Sequence, residues 1–230
     1  MRVDPDIAAV AALIADPSRA AILTALLEGA ELAAGDLARR AGVSPSTASS
    51  HLARLEAGGL VTCAARGRMR CYRLAAPAVV HLLEALARLA PPALAMTEPA
   101  VASARELRLA RTCYDHLAGW LGCAVTGALL AGGQLRRRGD GFAVTSIGRD
   151  GLAELDIDVA LLERERRPLA RACLDWSERR PHLAGALGAA FAAQLLARGW
   201  LARVRASRAV RVTARGRAEL AARFRIDLPA

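Results

Sequence analysis

The stretch SPSTASSHLARLEAGGLVTCAARGRMRCYRL, residues 44–74, decides the fold of the first part of this chain. Ser44 is a favoured N-cap residue, and Pro45 suits the first turn of a helix, where its missing N–H loses no hydrogen bond. The pair Gly58-Gly59 is expected to stop that helix. We therefore predict a helix within residues 44–57 whose side chains are mostly short and polar. These side chains are Ser46, Thr47, Ser49, Ser50, His51 and Arg54.

A β-hairpin is predicted directly after this helix. Two segments with strand propensity, residues 60–65 and 69–74, flank Arg66-Gly67-Arg68, and the central glycine allows a tight turn. A polar helix that fits a major groove, beside a cationic loop that reaches phosphates, is the arrangement that reads duplex DNA. The stretch therefore predicts a winged helix-turn-helix that binds double-stranded DNA. The expected DNA-binding residues are Ser44, Ser46, Thr47, Ser49, Ser50, His51, Arg54, Arg66, Arg68 and Arg70.

The segment upstream predicts the other helices of this motif. Asp16-Pro17-Ser18-Arg19 has the same order of a capping residue and a proline, and leucines at helical spacing follow it. Residues 31–41 predict a second short helix, and Gly42-Val43 predicts the turn into the polar helix.

Three segments resemble the arsenic-repressor (ArsR/SmtB) family of bacterial regulators. They are ADPSRAAIL at 15–23, DLARRAGVSPSTASSHLARLEAGGLV at 36–61 and GRMRCYRL at 67–74. The resemblance covers about the first 90 residues, and several motifs recur in order. It implies a homodimer, held together by the first helix and residues 76–90, that binds a near-palindromic operator and is released by an effector.

The metal sites of that family do not carry over to this chain. The segment 31–37, ELAAGDL, contains no thiol where metal-sensing members often carry a Cys-x-Cys site. In the helix after the hairpin, only His81 and Glu84 share a face as potential ligands. A surface or interface histidine is the alternative at that position.

Composition predicts a mainly α protein with short β-hairpins. Hydrophobic residues make up 54% of the 230 residues and aromatic residues only 3%. The net charge of +10 suits a polyanion partner, but the chain contains no lysine and no asparagine, so only localised arginines support DNA binding. We expect no membrane partner and a cytoplasmic location, because no apolar run spans a bilayer and no leader opens the chain.

We predict two domains, a winged helix-turn-helix at 1–95 and a sensory domain at 96–230, with a linker near the prolines at 91–99. The sensory domain repeats itself: LARTCYDHLAGWLG at 109–122 recurs as LARACLDWSERRPHLAGALG at 169–188. Each copy is predicted to run helix, helix, strand, turn, strand, short helix, and to resemble a winged helix. The copies span about residues 105–158 and 165–230. Arginines near their hairpins leave contact with DNA phosphates open.

The repeated pattern Cys-x-Asp…His is the candidate for chemistry in this domain. Thiolate, carboxylate and imidazole are the ligands that zinc and similar ions take, and two sets related by symmetry would complete one site. A purely structural role and a pocket for a small organic effector are the alternatives. The candidate metal ligands are Cys113, Asp115, His116, Cys173, Asp175 and His182.

Two further hypotheses concern the cysteines. Cys63 and Cys71 lie on the two hairpin strands, where a redox switch is an alternative to two half-buried thiols. A two-residue turn at Gly67-Arg68 would place these thiols on opposite faces, whereas a loop one residue longer would bring them face to face. A cysteine-dependent enzyme using Cys113 and His116 is disfavoured because no nucleophile elbow or phosphate loop accompanies them. We therefore predict a non-enzymatic, DNA-binding transcriptional regulator: a dimeric repressor that is released by an effector bound to the sensory domain.

Overall fold

A computed structural model of the chain describes residues 4–28, 31–67, 69–90, 105–205 and 207–229. The chain divides into two compact units, Met1–Leu89 and Ala90–Ala230, which we call the amino-terminal and carboxy-terminal units. The predicted linker and the predicted domain boundary near residue 95 both lie outside the described residues.

The amino-terminal unit has the order of elements of a winged helix-turn-helix. Its three-stranded antiparallel sheet has the order β1-β3-β2. The elements are α1 (Ile7–Ile14), α2 (Pro17–Glu28), β1 (Leu32–Ala33), α3 (Ala34–Ala41), α4 (Pro45–Ala57), β2 (Val61–Arg66), β3 (Met69–Leu74) and α5 (Pro77–Leu89).

Helices α2, α3 and α4 pack around one apolar core, because their leucines fall on their facing sides. Leu23, Leu37 and Leu52 are completely buried there. The predicted helix at 31–41 begins only at Ala34, since Leu32 and Ala33 pair with Tyr72 and Cys71 of β3 instead. Strand β1 therefore joins the helical core to the hairpin through its backbone pairing with β3.

Arg19 holds α1 against the start of α2. Its Nε donates to the carbonyl oxygen of Leu13 at 2.7 Å, and its Nη2 donates to that of Ala12 at 2.8 Å. These are carbonyls at the end of α1 that lack helical partners. The backbone N–H of Arg19 donates in turn to Asp16, which opens α2. The segment Asp16–Arg19 therefore sets the angle between the first two helices.

Along the ranges that the structure describes, no single helix is both long and apolar enough to cross a membrane. One pair, Ile7–Ile14 and Pro17–Leu27, meets the length and composition criteria only when joined, and its members are bent by 88° at the break.

Within residues 105–205 and 207–229, the carboxy-terminal unit contains four β-hairpins among its helices. Helical residues 105–109 precede its named elements. These are β4 (Arg111–Cys113), β5 (His116–Ala118), α6 (Gly119–Ala131), β6 (Leu135–Arg138), β7 (Gly141–Val144), α7 (Ser146–Ala153), α8 (Val159–Leu162), β8 (Arg171–Leu174), β9 (Pro181–Ala184), α9 (Gly185–Ala197), β10 (Leu201–Arg203), β11 (Val210–Val212) and α10 (Ala214–Phe224).

The same order of hairpin, long helix, hairpin and short helix occurs twice in this unit. Thr145 caps α7 by accepting from the N–H of Gly148, and Thr213 caps α10 by accepting from the N–H of Gly216. Leucines of the two long helices share one core with Trp200. The interpretation of these halves as duplicated winged-helix-like units stays a prediction.

The first element of each half was predicted as a helix, and the structure shows a β-hairpin instead. Residues 111–118 and 171–184 form antiparallel hairpins, β4–β5 and β8–β9. Tyr114 adopts a φ of 60°, a left-handed conformation that breaks a helix and closes the first turn. This turn is Tyr114-Asp115, which contains an aspartate but no glycine at the position with positive φ, so the sequence signal for it is weak.

Candidate functional site

Helix α4 exposes a small polar surface on the side away from the core. Ser44 Oγ caps the helix by accepting from the N–H of Thr47 at 3.2 Å and lies 2.8 Å from Thr47 Oγ1. The buried side carries Ala48, Leu52 and Leu55. The side chains exposed on or beside this helix are Ser44, Ser46, Thr47, Ser49, Ser50 and Arg54.

His51 does not share that surface. Its side chain is only 14% exposed, and its Nδ1 lies 4.0 Å from Asp16 Oδ1 at the start of α2. The structure therefore places this predicted DNA-binding residue at the contact between α4 and α2. Its helical position is compatible with either role, so sequence alone did not decide between them.

The wing, which we define as the hairpin β2–β3, carries exposed arginines that face acidic partners. Arg66 donates from Nε and Nη2 to both carboxylate oxygens of Glu31, at 3.1 and 3.3 Å. Arg70 lies 3.6 Å from Glu56 and donates from Nε to Cys63 Sγ at 3.3 Å. Arg68, also predicted to bind DNA, lies outside the described residues.

The wing cysteines do not meet. Cys63 pairs with Tyr72, and Cys71 pairs with Ala64, so the two thiols lie on opposite faces of the hairpin. This register is the one expected for the two-residue turn. The redox hypothesis for Cys63 and Cys71 therefore lacks the geometry of a disulfide.

In the carboxy-terminal unit, two hairpins bring four predicted ligands together. Cys113 is directly opposite His116 in β4–β5, and Cys173 is directly opposite His182 in β8–β9. Strands β5 and β9 contact one another. One potential ligand atom from each residue lies within 4.8 Å of every other. We call Cys113, His116, Cys173 and His182 the Cys2His2 cluster.

The cluster is almost closed to solvent. Cys113, His116 and His182 are no more than 3% exposed, and Cys173 is half-buried. The Nε2 atoms of the two histidines lie 3.2 Å apart, and the Sγ atoms of the two cysteines lie 4.0 Å apart.

The two predicted aspartates lie behind the histidines rather than within the cluster. Asp115 Oδ1 lies 3.3 Å from His116 Nδ1, and Asp115 Oδ2 accepts from Arg167 at 2.7 Å. Burial opposes ionisation of Asp115, but these hydrogen bonds outweigh it and hold its pKa at about 2. The pKa of His116 is raised, because its hydrogen bonds to Asp115 and Cys173 outweigh the effect of burial.

Asp175 belongs to a buried ion pair that the sequence did not predict. Its Oδ2 accepts from Arg111 Nη2 at 2.8 Å and from the N–H of Gly119 at 2.7 Å. Its Oδ1 accepts from the N–H and hydroxyl of Ser177. Burial opposes ionisation, yet Arg111 and these donors hold the pKa of Asp175 far below its ordinary value. His182 Nδ1 faces Asp175 Oδ2 at 3.6 Å.

The cysteine thiols differ in acidity according to their surroundings. The hydrogen bond with Cys113 and the two histidines lower the pKa of Cys173. Burial instead raises the pKa of Cys123 on α6 to about 12. Thiolate character is therefore favoured at Cys173 and disfavoured at Cys123.

Comparison with known proteins agrees with the helix-turn-helix of the amino-terminal unit. A family model described as a helix-turn-helix domain matches residues 14–64. The uncharacterized HTH-type transcriptional regulator YdfF of Bacillus subtilis is 40% identical over 214 residues, covering 93% of this chain and 95% of YdfF. The HTH-type transcriptional regulator CmtR of Mycobacterium tuberculosis is 41% identical over 91 residues, covering 39% of this chain and 74% of CmtR. The chain belongs to the ArsR/SmtB family of HTH-type transcriptional regulators.

Among solved structures, the winged helix-turn-helix domain of Mb0332 from Mycobacterium bovis is 32% identical to this regulator. The match covers 39% of this chain and 88% of the Mb0332 domain, with a TM-score of 0.34.

Among the described residues, one void beside the Cys2His2 cluster of this regulator is too small for an organic ligand. A void lined by Gly122, Thr126 and Gly188 measures about 10 Å³, close to the room one water needs. A larger open groove of about 780 Å³ lies between Trp120 on α6 and Phe224 on α10. A small organic effector therefore has space at that groove, away from the cluster.

Proposed function

We propose that this regulator is a homodimeric repressor whose winged helix binds an operator and whose carboxy-terminal unit binds the effector that releases it. The observation that carries this proposal is the exposed polar face of α4 beside a wing rich in arginine. Short hydroxyl side chains permit close approach to base edges and phosphates in a major groove.

Within this proposal, the first turn of α4 contacts the DNA. Ser46 and Thr47 lie there on exposed positions, where their hydroxyls can reach base edges and phosphate oxygens. Ser49, Ser50 and Arg54 follow on exposed positions along the groove. His51 supports the packing of α4 on α2 and contributes to binding through the position of the helix.

The wing arginines supply contacts to the DNA backbone. Glu31 and Glu56 orient the guanidinium groups of Arg66 and Arg70 in the free protein, and both pairs are exposed to solvent. Exposed ion pairs contribute little stability, so exchanging a carboxylate for a phosphate costs little. Arg68 at the turn would contact the backbone with them.

Homodimer formation through α1 and α5 is supported by their uncovered apolar surface. Helix α1 has no buried residue although it consists of apolar side chains, and Ile7 is 75% exposed. On α5, Leu82, Leu86 and Leu89 are exposed at helical spacing on one side. A second copy of this chain covers these surfaces and aligns two α4 helices on a two-fold symmetric operator.

An enzymatic role is not part of this proposal. The Cys113–His116 pair, the candidate nucleophile and base, is at most 3% exposed and faces a second Cys–His pair. A substrate would have no path to such a nucleophile, whereas an effector ion fits inside the cluster.

The proposal is tested by fluorescence anisotropy on a duplex selected from a random DNA pool. Arg70→Ala should weaken binding to selected and random DNA alike and reduce the slope of log affinity against log salt by about 0.9. Arg166→Ala, an exposed arginine of the carboxy-terminal unit, controls for the lost charge. Thr47→Ala should instead change the preference for DNA sequence, because contacts to base edges determine sequence specificity. Unchanged salt dependence in Arg70→Ala, or equal loss on both DNAs in Thr47→Ala, contradicts these roles.

A further inference from the structure

The Cys2His2 cluster is built by the backbone pairing of two separate hairpins. Directly opposite residues of an antiparallel pair project to the same face, so each hairpin presents one thiol and one imidazole together. Strand β5 packs on α9, and β9 packs on α6. Each hairpin is therefore held in place by the long helix of the other half.

Two glycines allow this exchanged packing. A Cβ on Gly188 of α9 would come within 3.2 Å of His116 Cβ and 2.5 Å of the carbonyl oxygen of Leu183. A Cβ on Gly122 of α6 would come within 3.6 Å of His182 Cβ. Both histidines thus lie against a helix surface without side chains, which fixes them close to one another.

The distances within the cluster match a tetrahedral ion. Zinc bonds of about 2.0–2.1 Å to nitrogen and about 2.3 Å to sulfur separate two nitrogens by about 3.3 Å and two sulfurs by about 3.8 Å. The observed separations are 3.2 Å between the Nε2 atoms and 4.0 Å between the Sγ atoms. These two separations fit a tetrahedral zinc site, and the other ligand pairs lie within 4.8 Å of one another.

The aspartates orient the histidines for coordination. Asp115 lies within hydrogen-bond distance of His116 Nδ1, and the negative charge of Asp175 lies 3.6 Å from His182 Nδ1. Both favour the N–H on Nδ1 and leave the Nε2 atoms, 3.2 Å apart, available to an ion. A cation between the two Nε2 atoms accommodates their lone pairs. Each carboxylate is also paired with an arginine, Arg167 or Arg111, so it orients a ligand rather than binding the ion itself.

The charge of the two thiolates and the complete set of four protein ligands indicate which class of ion the cluster binds. Two thiolates neutralise one divalent cation, so the loaded site is neutral in its buried surroundings. Two sulfur and two nitrogen ligands in a tetrahedron favour Zn²⁺ over Mg²⁺ or Ca²⁺, which take oxygen ligands. Four protein ligands leave no open position, as in structural and sensing sites.

We propose that the Cys2His2 cluster binds one Zn²⁺ ion and that this ion ties the two halves of the carboxy-terminal unit together. The proposal of a binding site does not depend on the proposed function, whereas a role for the ion as the effector rests on it. The ligands come from two hairpins that residues 119–170 separate along the chain, so loading the ion stabilises the folded unit.

The test is metal uptake by the full chain, purified with a thiol reductant, stripped with chelator and reloaded with Zn²⁺. The parent should retain one Zn²⁺ per chain after gel filtration, and Cys173→Ser should retain none. Cys123→Ser is the matched control, because Cys123 is a neighbouring buried thiol that belongs to an alternative group with Asp175 and His182. It should retain the ion as the parent does.

Loading with Co²⁺ reports the geometry and guards against a variant that fails to fold. The parent should show the intense visible bands of tetrahedral Co²⁺ and a thiolate charge-transfer band, and His116→Cys should keep both with stronger charge transfer. Loss of the ion in Cys123→Ser, an octahedral spectrum, or a Cys113–Cys173 disulfide without metal uptake overturns the proposal. Anisotropy on the same samples measures DNA binding separately, so failure of the metal site and failure of the proposed function are distinguished.

Discussion

Replacing Arg111 with methionine should destabilise the carboxy-terminal unit strongly. Arg111 is 1% exposed, donates to Asp175, Ser177 and the carbonyl of Leu107, and stacks on Trp176 at 4.6 Å. In Arg111→Met the carboxylate of Asp175 stays buried with its N–H and hydroxyl donors but without its counter-charge.

The size of the effect follows from this loss. Breaking a buried, hydrogen-bonded ion pair by removing one partner costs about 3–5 kcal/mol in free energy of unfolding. With a urea m-value of about 2 kcal/mol/M, the midpoint of unfolding falls by about 1.5–2.5 M. Arg171 occupies the matching place in the second hairpin but is exposed, so Arg171→Met should change stability by less than about 0.5 kcal/mol.

Tryptophan fluorescence in urea measures this unit alone, because Trp120, Trp176 and Trp200 all lie within it. The titrations are made in buffer with EDTA, so that metal binding does not enter the comparison. Equal, small shifts in Arg111→Met and Arg171→Met would refute the buried ion pair as a stabilising contact.

Three further predictions follow from the packing, the orienting carboxylate and the apolar helices. Gly122→Ala should lower the free energy of unfolding of the carboxy-terminal unit by about 1–3 kcal/mol in a urea titration, because its Cβ would lie 2.5 Å from a backbone oxygen. Gly127→Ala has room for a Cβ and should raise that free energy by up to about 1 kcal/mol. Asp115→Asn should weaken Co²⁺ affinity about 10–100-fold in a competition titration, and an unchanged affinity would deny it an orienting role. Leu86→Glu should give a monomer in light scattering with weaker DNA binding, because Leu86 lies on the apolar surface of α5. Leu161→Glu, at a leucine of the other unit that is 60% exposed against 39% for Leu86, should leave a dimer.

The amino-terminal fold was predictable because its signals are local. Ser44 and Pro45 start α4 as expected, and the wing strands follow within one residue of their predicted bounds. The predicted start of α3 at residue 31 was wrong. Leu32 pairs instead with Tyr72, a contact across 40 residues that local propensity does not encode. The side chain of His51 likewise depends on the tertiary contact of α4 with Asp16.

For the carboxy-terminal site, the sequence predicted the residues that come together, but the prediction of their local structure was wrong. The repeat singled out all four members of the Cys2His2 cluster, but placed Cys113 and His116 on a helix, since their flanks are rich in alanine and leucine. The hairpin depends on Tyr114 in a left-handed conformation, for which the sequence carries no glycine. Arg111 could not be identified, because only burial distinguishes it from the equivalent Arg171.

The most direct test of a regulator controlled through its carboxy-terminal unit is the affinity of the Zn²⁺-loaded and metal-free full chain for one selected duplex at one salt concentration. The two forms should differ about 5–150-fold in dissociation constant, the range of typical coupling between two sites, and Cys173→Ser should bind alike with or without Zn²⁺. Equal affinity of the loaded and metal-free parent, with one ion bound per chain, would contradict control through this ion.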